Sequence, residues 1–217
     1  MQKSDPVMLM TVRSVSVALL AMCCVALLSV SASAQSNHFK LIRAVERNNY
    51  DDALKYLKEG ITPNTRTRTE GIPALVIAAR EGHSRMLTLL LEWDANPDIQ
   101  DRERGETALM VRTGAGDVDD VRTLLDGGAT PNVGDKSRET ALTRAVRLRY
   151  HRIATLLMEA GADIDVVDVT GNSPLDYAKQ NRDRRMIKIL EETAAKKKPA
   201  APASGPMAGP RPGPGRF

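Results

Sequence analysis

Between about residues 37 and 193 the chain is written in short paired stripes of apolar positions separated by polar, glycine-bearing breaks. Leu41, Ala44 and Val45 stand at i, i+3 and i+4, which gathers them on one face of a helix, and Ala53, Leu54 and Leu57 make a second stripe a few residues on. The pair returns as Leu75, Ala78 and Ala79 with Met86, Leu87, Leu89, Leu90 and Leu91, then as Leu109 with Val118, Val121, Leu124 and Leu125. It returns again as Leu142, Ala145 and Val146 with Ile153, Leu156 and Leu157, and last as Leu175 and Ala178 with Met186, Ile187, Ile189 and Leu190. The first leucines, Leu41, Leu75, Leu109, Leu142 and Leu175, are separated by 34, 34, 33 and 33 residues. Stripes this short bury too little surface to stand alone, so each unit must cover its neighbour. The pattern predicts an all-α solenoid of about five helix-turn-helix repeats, bounded near 37–69, 70–103, 104–136, 137–169 and 170–193.

The openings of the units sharpen this. Gly71-Ile72-Pro73-Ala74-Leu75, Gly105-Glu106-Thr107-Ala108-Leu109, Arg138-Glu139-Thr140-Ala141-Leu142 and Gly171-Asn172-Ser173-Pro174-Leu175 are variants of one phrase. It resembles the opening of an ankyrin repeat, G-x-T-P-L-H-x-A-A, with the family's histidine replaced by Val76, Met110, Thr143 and Asp176. The resemblance implies helix pairs joined by β-hairpin-like fingers, with fingers and inner helices forming a concave face that binds a protein partner. Carried over position by position, it places Arg66 and Arg68, then Gln100, Asp101, Arg102, Glu103 and Arg104, then Asp135, Lys136, Ser137 and Arg138, and last Asp168, Val169 and Thr170 at the fingertips. On the inner helices it places Arg80, Glu81, Arg147 and Leu148.

Three departures from the phrase carry expectations of their own. Trp93, the only tryptophan, reads either as an anchor for a partner or as local packing over the neighbouring helix end. Asp94 stands where the family has Gly, and a left-handed corner is expected there. Arg112 lies three residues after Leu109, where other units carry Ala78, Ala145 and Ala178. A buried charge without a partner is expensive, so Arg112 is expected to snorkel outward or to find an acid. It reads as a concave-face contact or as drift, and the Gly114-Ala115-Gly116 run after it predicts a weak, irregular third unit. The cluster Arg144, Arg147, Arg149 and Arg152 reads as a solvated or salt-bridged face, or as a site for an acidic partner surface.

Composition changes the picture at the two ends. Residues 1–34 carry Lys3 and Arg13 before an apolar run, Val15 to Val30, that closes on Ala32-Ser33-Ala34. This is the pattern of a secretory signal cleaved after Ala34, the alternative being an uncleaved anchor, and a periplasmic or secreted protein is expected. Cys23 and Cys24, the only cysteines, both fall inside it, so the mature chain would have neither disulfide nor thiolate chemistry. Residues 194–217 are rich in Pro, Ala and Gly with five basic residues, a composition that predicts a disordered tail. Of the formal charge of +4, the tail holds +5 and the leader +1, so the body between them carries −2. The basic balance therefore belongs to the tail and gives no reason to expect nucleic acid on the folded part.

Candidate chemistry is sparse. His38, His83 and His151 are far apart in the repeat scheme, and no H-E-x-x-H or phosphate loop is present. Asp163-Ile164-Asp165-Val166-Val167-Asp168 has acids at alternate positions but lacks the central Gly and closing Glu of a calcium loop. No catalytic residue, cofactor or metal is expected. The reading is a monomeric, non-catalytic protein-binding module outside the cytoplasm; the alternative is charge-driven tethering of the array to anionic membrane, cell wall or nucleic acid through the tail.

Overall fold

The computed structural model describes residues 38–197; the expected leader, with both cysteines, and the chain beyond 197 lie outside them. The described chain forms α1 (38–46), α2 (Tyr50–Lys58), α3 (Ala74–Glu81), α4 (Ser84–Glu92), α5 (Ala108–Ala115), α6 (Val118–Asp126), α7 (Ala141–Arg147), α8 (His151–Glu159), α9 (Pro174–Gln180) and α10 (Arg184–Lys197). The inner layer stacks α3, α5, α7 and α9 in order, and the outer layer stacks α2, α4, α6, α8 and α10. Between units the chain turns out into fingers too short for named strands. Arg66 pairs with Pro73, and Gly134 with Thr140, as isolated antiparallel bridges. Helix α10 runs to Lys197, past the boundary expected at 193, so the start of the expected tail is helical.

The shared opening phrase has a capping chemistry. Thr107, Thr140 and Ser173 are the N-caps of α5, α7 and α9, and each side-chain oxygen accepts a backbone N–H of the first turn. Ser173 and Asp176 complete a reciprocal capping box, with Pro174 pre-set for the first turn. At α3 the cap is Pro73, which makes no such bond.

Left-handed corners recur with the same period. The turn between paired helices has positive φ at Asn48, Gly82, Gly116, Arg149 and Arg182, and the turn after the outer helix at Gly60, Asp94, Gly128 and Gly161. Asp94 sits at φ 61°, as its place in the repeat implies. Arginine has no local hydrogen bond to offset the clash of its Cβ there, at a cost of about 1 kcal/mol. Arg182→Gly is therefore expected to raise stability by about 1 kcal/mol, and urea denaturation checks it. An unchanged or lowered midpoint would show that the corner is unstrained.

The core is aliphatic. Leu41, Leu75, Leu109 and Leu142 are at most 3% exposed, and Ala78, Ala79, Ala145 and Ala178 let the inner helices approach closely. The third unit is not irregular, contrary to its glycine-rich sequence: α5 is an eight-residue helix closed by Gly116 in the left-handed conformation. Stacking on both sides outweighs its weak propensity. Where unit two places Ala79, unit three buries Thr113 completely, and its hydroxyl has no hydrogen-bond partner. A buried hydroxyl left unpaired costs about 1–3 kcal/mol. Thr113→Val keeps the shape and removes the polar atom, so a gain of about 1 kcal/mol is expected in the same denaturation assay.

Candidate functional site

The fingers are folded by one repeated device. Thr67, Asp101, Asp135 and Asp168 occupy the same position in four successive fingers, and each side chain accepts backbone N–H groups across its own turn. Asp101 Oδ1 lies 2.6 Å from the N of Arg104, Asp135 Oδ1 2.8 Å from that of Ser137, and Asp168 Oδ1 2.8 Å from that of Thr170. The other carboxylate oxygen of each Asp turns inward: that of Asp101 to Arg80, that of Asp135 to Arg144, and that of Asp168 to the Tyr177 hydroxyl.

At Asp168 burial pushes the carboxyl up, but the Thr170 and Tyr177 hydroxyls and the N–H groups of Asn172 and Thr170 outweigh it and bring the pKa down to about 2. A folded-state value below the unfolded one means that this finger's contribution to stability is complete above the ordinary value of 3.8 and is lost as pH falls toward about 2. Thermal melts between pH 5 and 2 are expected to show a smaller acid loss in Asp168→Asn than in the parent. Equal losses would remove Asp168 from the account.

Beneath the fingertips runs a ladder of ion pairs. Arg80 pairs with Asp101 and Glu106; Arg144 lies 2.7 Å from Glu106, 2.9 Å from Glu139 and 3.3 Å from Asp135; Arg147 lies 2.9 Å from Glu139. Burial opposes the charge on Arg144, and Glu106 and Glu139 more than restore it, holding the guanidinium above its ordinary pKa. Four carboxylates and three guanidiniums thus cancel to −1 inside the face. A second device joins neighbouring fingers: Arg66 donates to the carbonyls of Gly71 and Gln100, and Gln100 donates to those of Gly105 and Gly134.

Several residues assigned to partner contact by position are therefore committed inside the protein. Asp101 is 3% exposed, and Asp135 is half-buried against Arg144. Arg66 and Gln100 are clips between fingers, and Arg80 is an ion-pair partner. Arg112 is no concave-face contact: 8% exposed, it donates to the Ala79 carbonyl at 3.1 Å and lies 2.7 Å from both Asp117 and Asp120. Trp93 is half-buried against the core at the end of α4, which matches the local-packing reading. Arg68, Glu81, Arg102, Glu103, Arg104, Lys136, Arg138, Arg147 and Leu148 are exposed.

The exposed part around the second and third fingers is strongly cationic. Arg102, Arg104, Lys136 and Arg138 face outward with only Glu103 of opposite sign, which leaves +3 on the outside of a nearly neutral inner layer. Glu106 and Glu139, which make this separation possible, were not among the residues expected to matter. Their signal was present: both directly precede the capping Thr, 33 residues apart.

The histidines serve structure, His83 toward the Val45 carbonyl and His151 toward Asp183. Among the described residues no group of His, Cys, Asp and Glu could hold a metal ion, and no helix is long and apolar enough to cross a membrane. No curated protein matches the chain. A family model described as ankyrin repeats (3 copies) matches residues 41–135 and 114–199. With that match spanning the whole stack of helix pairs and fingers, the chain belongs to the ankyrin-repeat family.

Proposed function

We propose that the protein is a non-catalytic binding module that works outside the cytoplasm and holds a protein partner on its concave face. Ankyrin repeats are generally protein–protein interaction modules. The observation that carries the reading here is the separation of charge: Asp101, Glu106, Asp135 and Glu139 are turned inward, and Arg102, Arg104, Lys136 and Arg138 are left to solvent. An exposed charged surface over a rigid, internally satisfied layer is pre-organised for a complementary partner and steers its approach. The compartment rests on the leader pattern of residues 1–34.

Two measurements test this. Residues 1–34 fused to a reporter active only outside the cytoplasm should yield activity, and a silent reporter would overturn the location. The full chain, used as bait in a cell-envelope extract, should lose its partner when Arg102, Arg104 and Arg138 are changed to Glu. Retention of every captured protein by that variant would overturn the concave face, and loss only on deletion after Thr193 would move binding to the tail.

A further inference from the structure

Three exposed positions, one on each of three successive fingers, form a line whose chemistry specifies what would lie on it. Arg102, Lys136 and Val169 each follow the inward-turned Asp of their finger, so they share one register. Each leans on the finger before it. The side chain of Arg102 covers Gly71, where a Cβ would collide with it, and Lys136 Cγ lies 3.2 Å from where a Cβ on Gly105 would stand. The Lys136 N–H donates to the Arg104 carbonyl and the Lys136 ammonium to the Arg102 carbonyl, while the Val169 N–H donates to the Ser137 carbonyl. These bonds fix the spacing of the line, and Val169, 62% exposed, is its apolar end.

On this geometry, and resting on the concave-face reading above, we infer that the partner offers an extended acidic segment with carboxylates three residues apart and an aliphatic side chain three residues further on. Stacked repeats are spaced like packed helices, about 8–10 Å apart, and a chain extended as polyproline II advances about 3.1 Å per residue and brings every third side chain to the same face. One repeat therefore corresponds to about three residues of a partner extended in that form. Carboxylates at that spacing meet Arg102 and Lys136 in turn, and the aliphatic residue meets Val169. Arg104 and Arg138 flank the line and add to the same field. A single-stranded nucleic acid would also be drawn by the charge, but it needs aromatic platforms for its bases, and the line holds none.

Selection of a random twelve-residue peptide library on the immobilised full chain tests the inference. Enrichment of acid-x-x-acid-x-x-aliphatic sequences is expected, with binding that weakens as salt rises. Synthetic versions should bind at least tenfold more weakly to Arg102→Glu and to Lys136→Met, severalfold more weakly to Val169→Ser, and unchanged to Arg184→Glu on the far cap. Circular dichroism of each variant confirms folding. Enriched peptides without the acidic spacing that still depend on Arg102 and Lys136 would overturn the segment while leaving the concave face in place. Peptides indifferent to every one of these changes would overturn both. Preference for a twelve-nucleotide RNA or for anionic vesicles over the acidic peptides would overturn the protein partner.

Discussion

Replacing Arg144 by Ala is expected to cost at least about 3 kcal/mol and to lower the thermal midpoint by about 10 °C. The side chain is 11% exposed and is the shared cation of Glu106, Asp135 and Glu139, themselves 10–14% exposed; it also donates to the Met110 carbonyl. Removing it takes the ion-pair partner from Asp135 and leaves Glu106 only Arg80 at 3.4 Å and Glu139 only the more exposed Arg147, so three carboxylates stay close together in a partly desolvated site short of counter-charge, which is the costly way to break a buried pair. Glu106 and Met110 belong to unit three and Asp135 and Glu139 to unit four, so the loss falls on the interface between them. Stability in a stacked array is a sum of unit and interface terms, and a weakened middle interface is expected to split one denaturation transition into two. A single transition, displaced by less than about 1 kcal/mol, would show the hub to be ornamental.

The two layers of helices were legible in the sequence because their signal is local and repeated. Leu75, Ala78 and Ala79 sit within one turn of each other, and the same arrangement 33 or 34 residues on identifies the stack. The left-handed corner at Asp94 was legible for the same reason, since register alone assigns it. The division of labour among the charged residues was not. Asp101 and Arg102 are neighbours in sequence, yet one is buried against Arg80 and the other exposed over the preceding finger. What separates them is the direction of the finger turn, set by hydrogen bonds from Arg104 and Gly105. The partners of Arg144 lie up to 38 residues away in sequence, where pattern shows that acids exist but not which of them meet. Propensity also misled at Gly114-Ala115-Gly116, because it weighs the isolated helix and α5 is held from both sides.

Restoring the repeat's own rule at position 112 is expected to harm the protein. Ala stands at the equivalent place in other units, as Ala78, Ala145 and Ala178, so Arg112→Ala would look like a correction toward a better-packed helix. The surroundings argue otherwise. Arg112 is the counter-charge of Asp120, which is 4% exposed and otherwise held by the Ser84 hydroxyl at 3.1 Å, and it is the donor to the last-turn carbonyl of Ala79. It also lies against Asp117, whose carboxylate accepts the N–H of Asp120, the strongest of the contacts holding its pKa below the ordinary value. Its guanidinium thus sits at the C-terminal end of α3 and the N-terminal end of α6, pinning two units through one side chain. Arg112→Ala strands the Asp120 carboxylate and opens a cavity, and a loss of about 3–4 kcal/mol is expected by urea denaturation. Arg112→Met, which fills the volume without the charge, should lose nearly as much. Adding Asp120→Ala to Arg112→Met should then recover more than half, because the carboxylate and not the missing contact carries most of the cost. If Arg112→Ala matched or exceeded the parent, Arg112 would be drift that the array tolerates; if the double variant recovered nothing, its role would be the bridge to the Ala79 carbonyl rather than the neutralisation of Asp120.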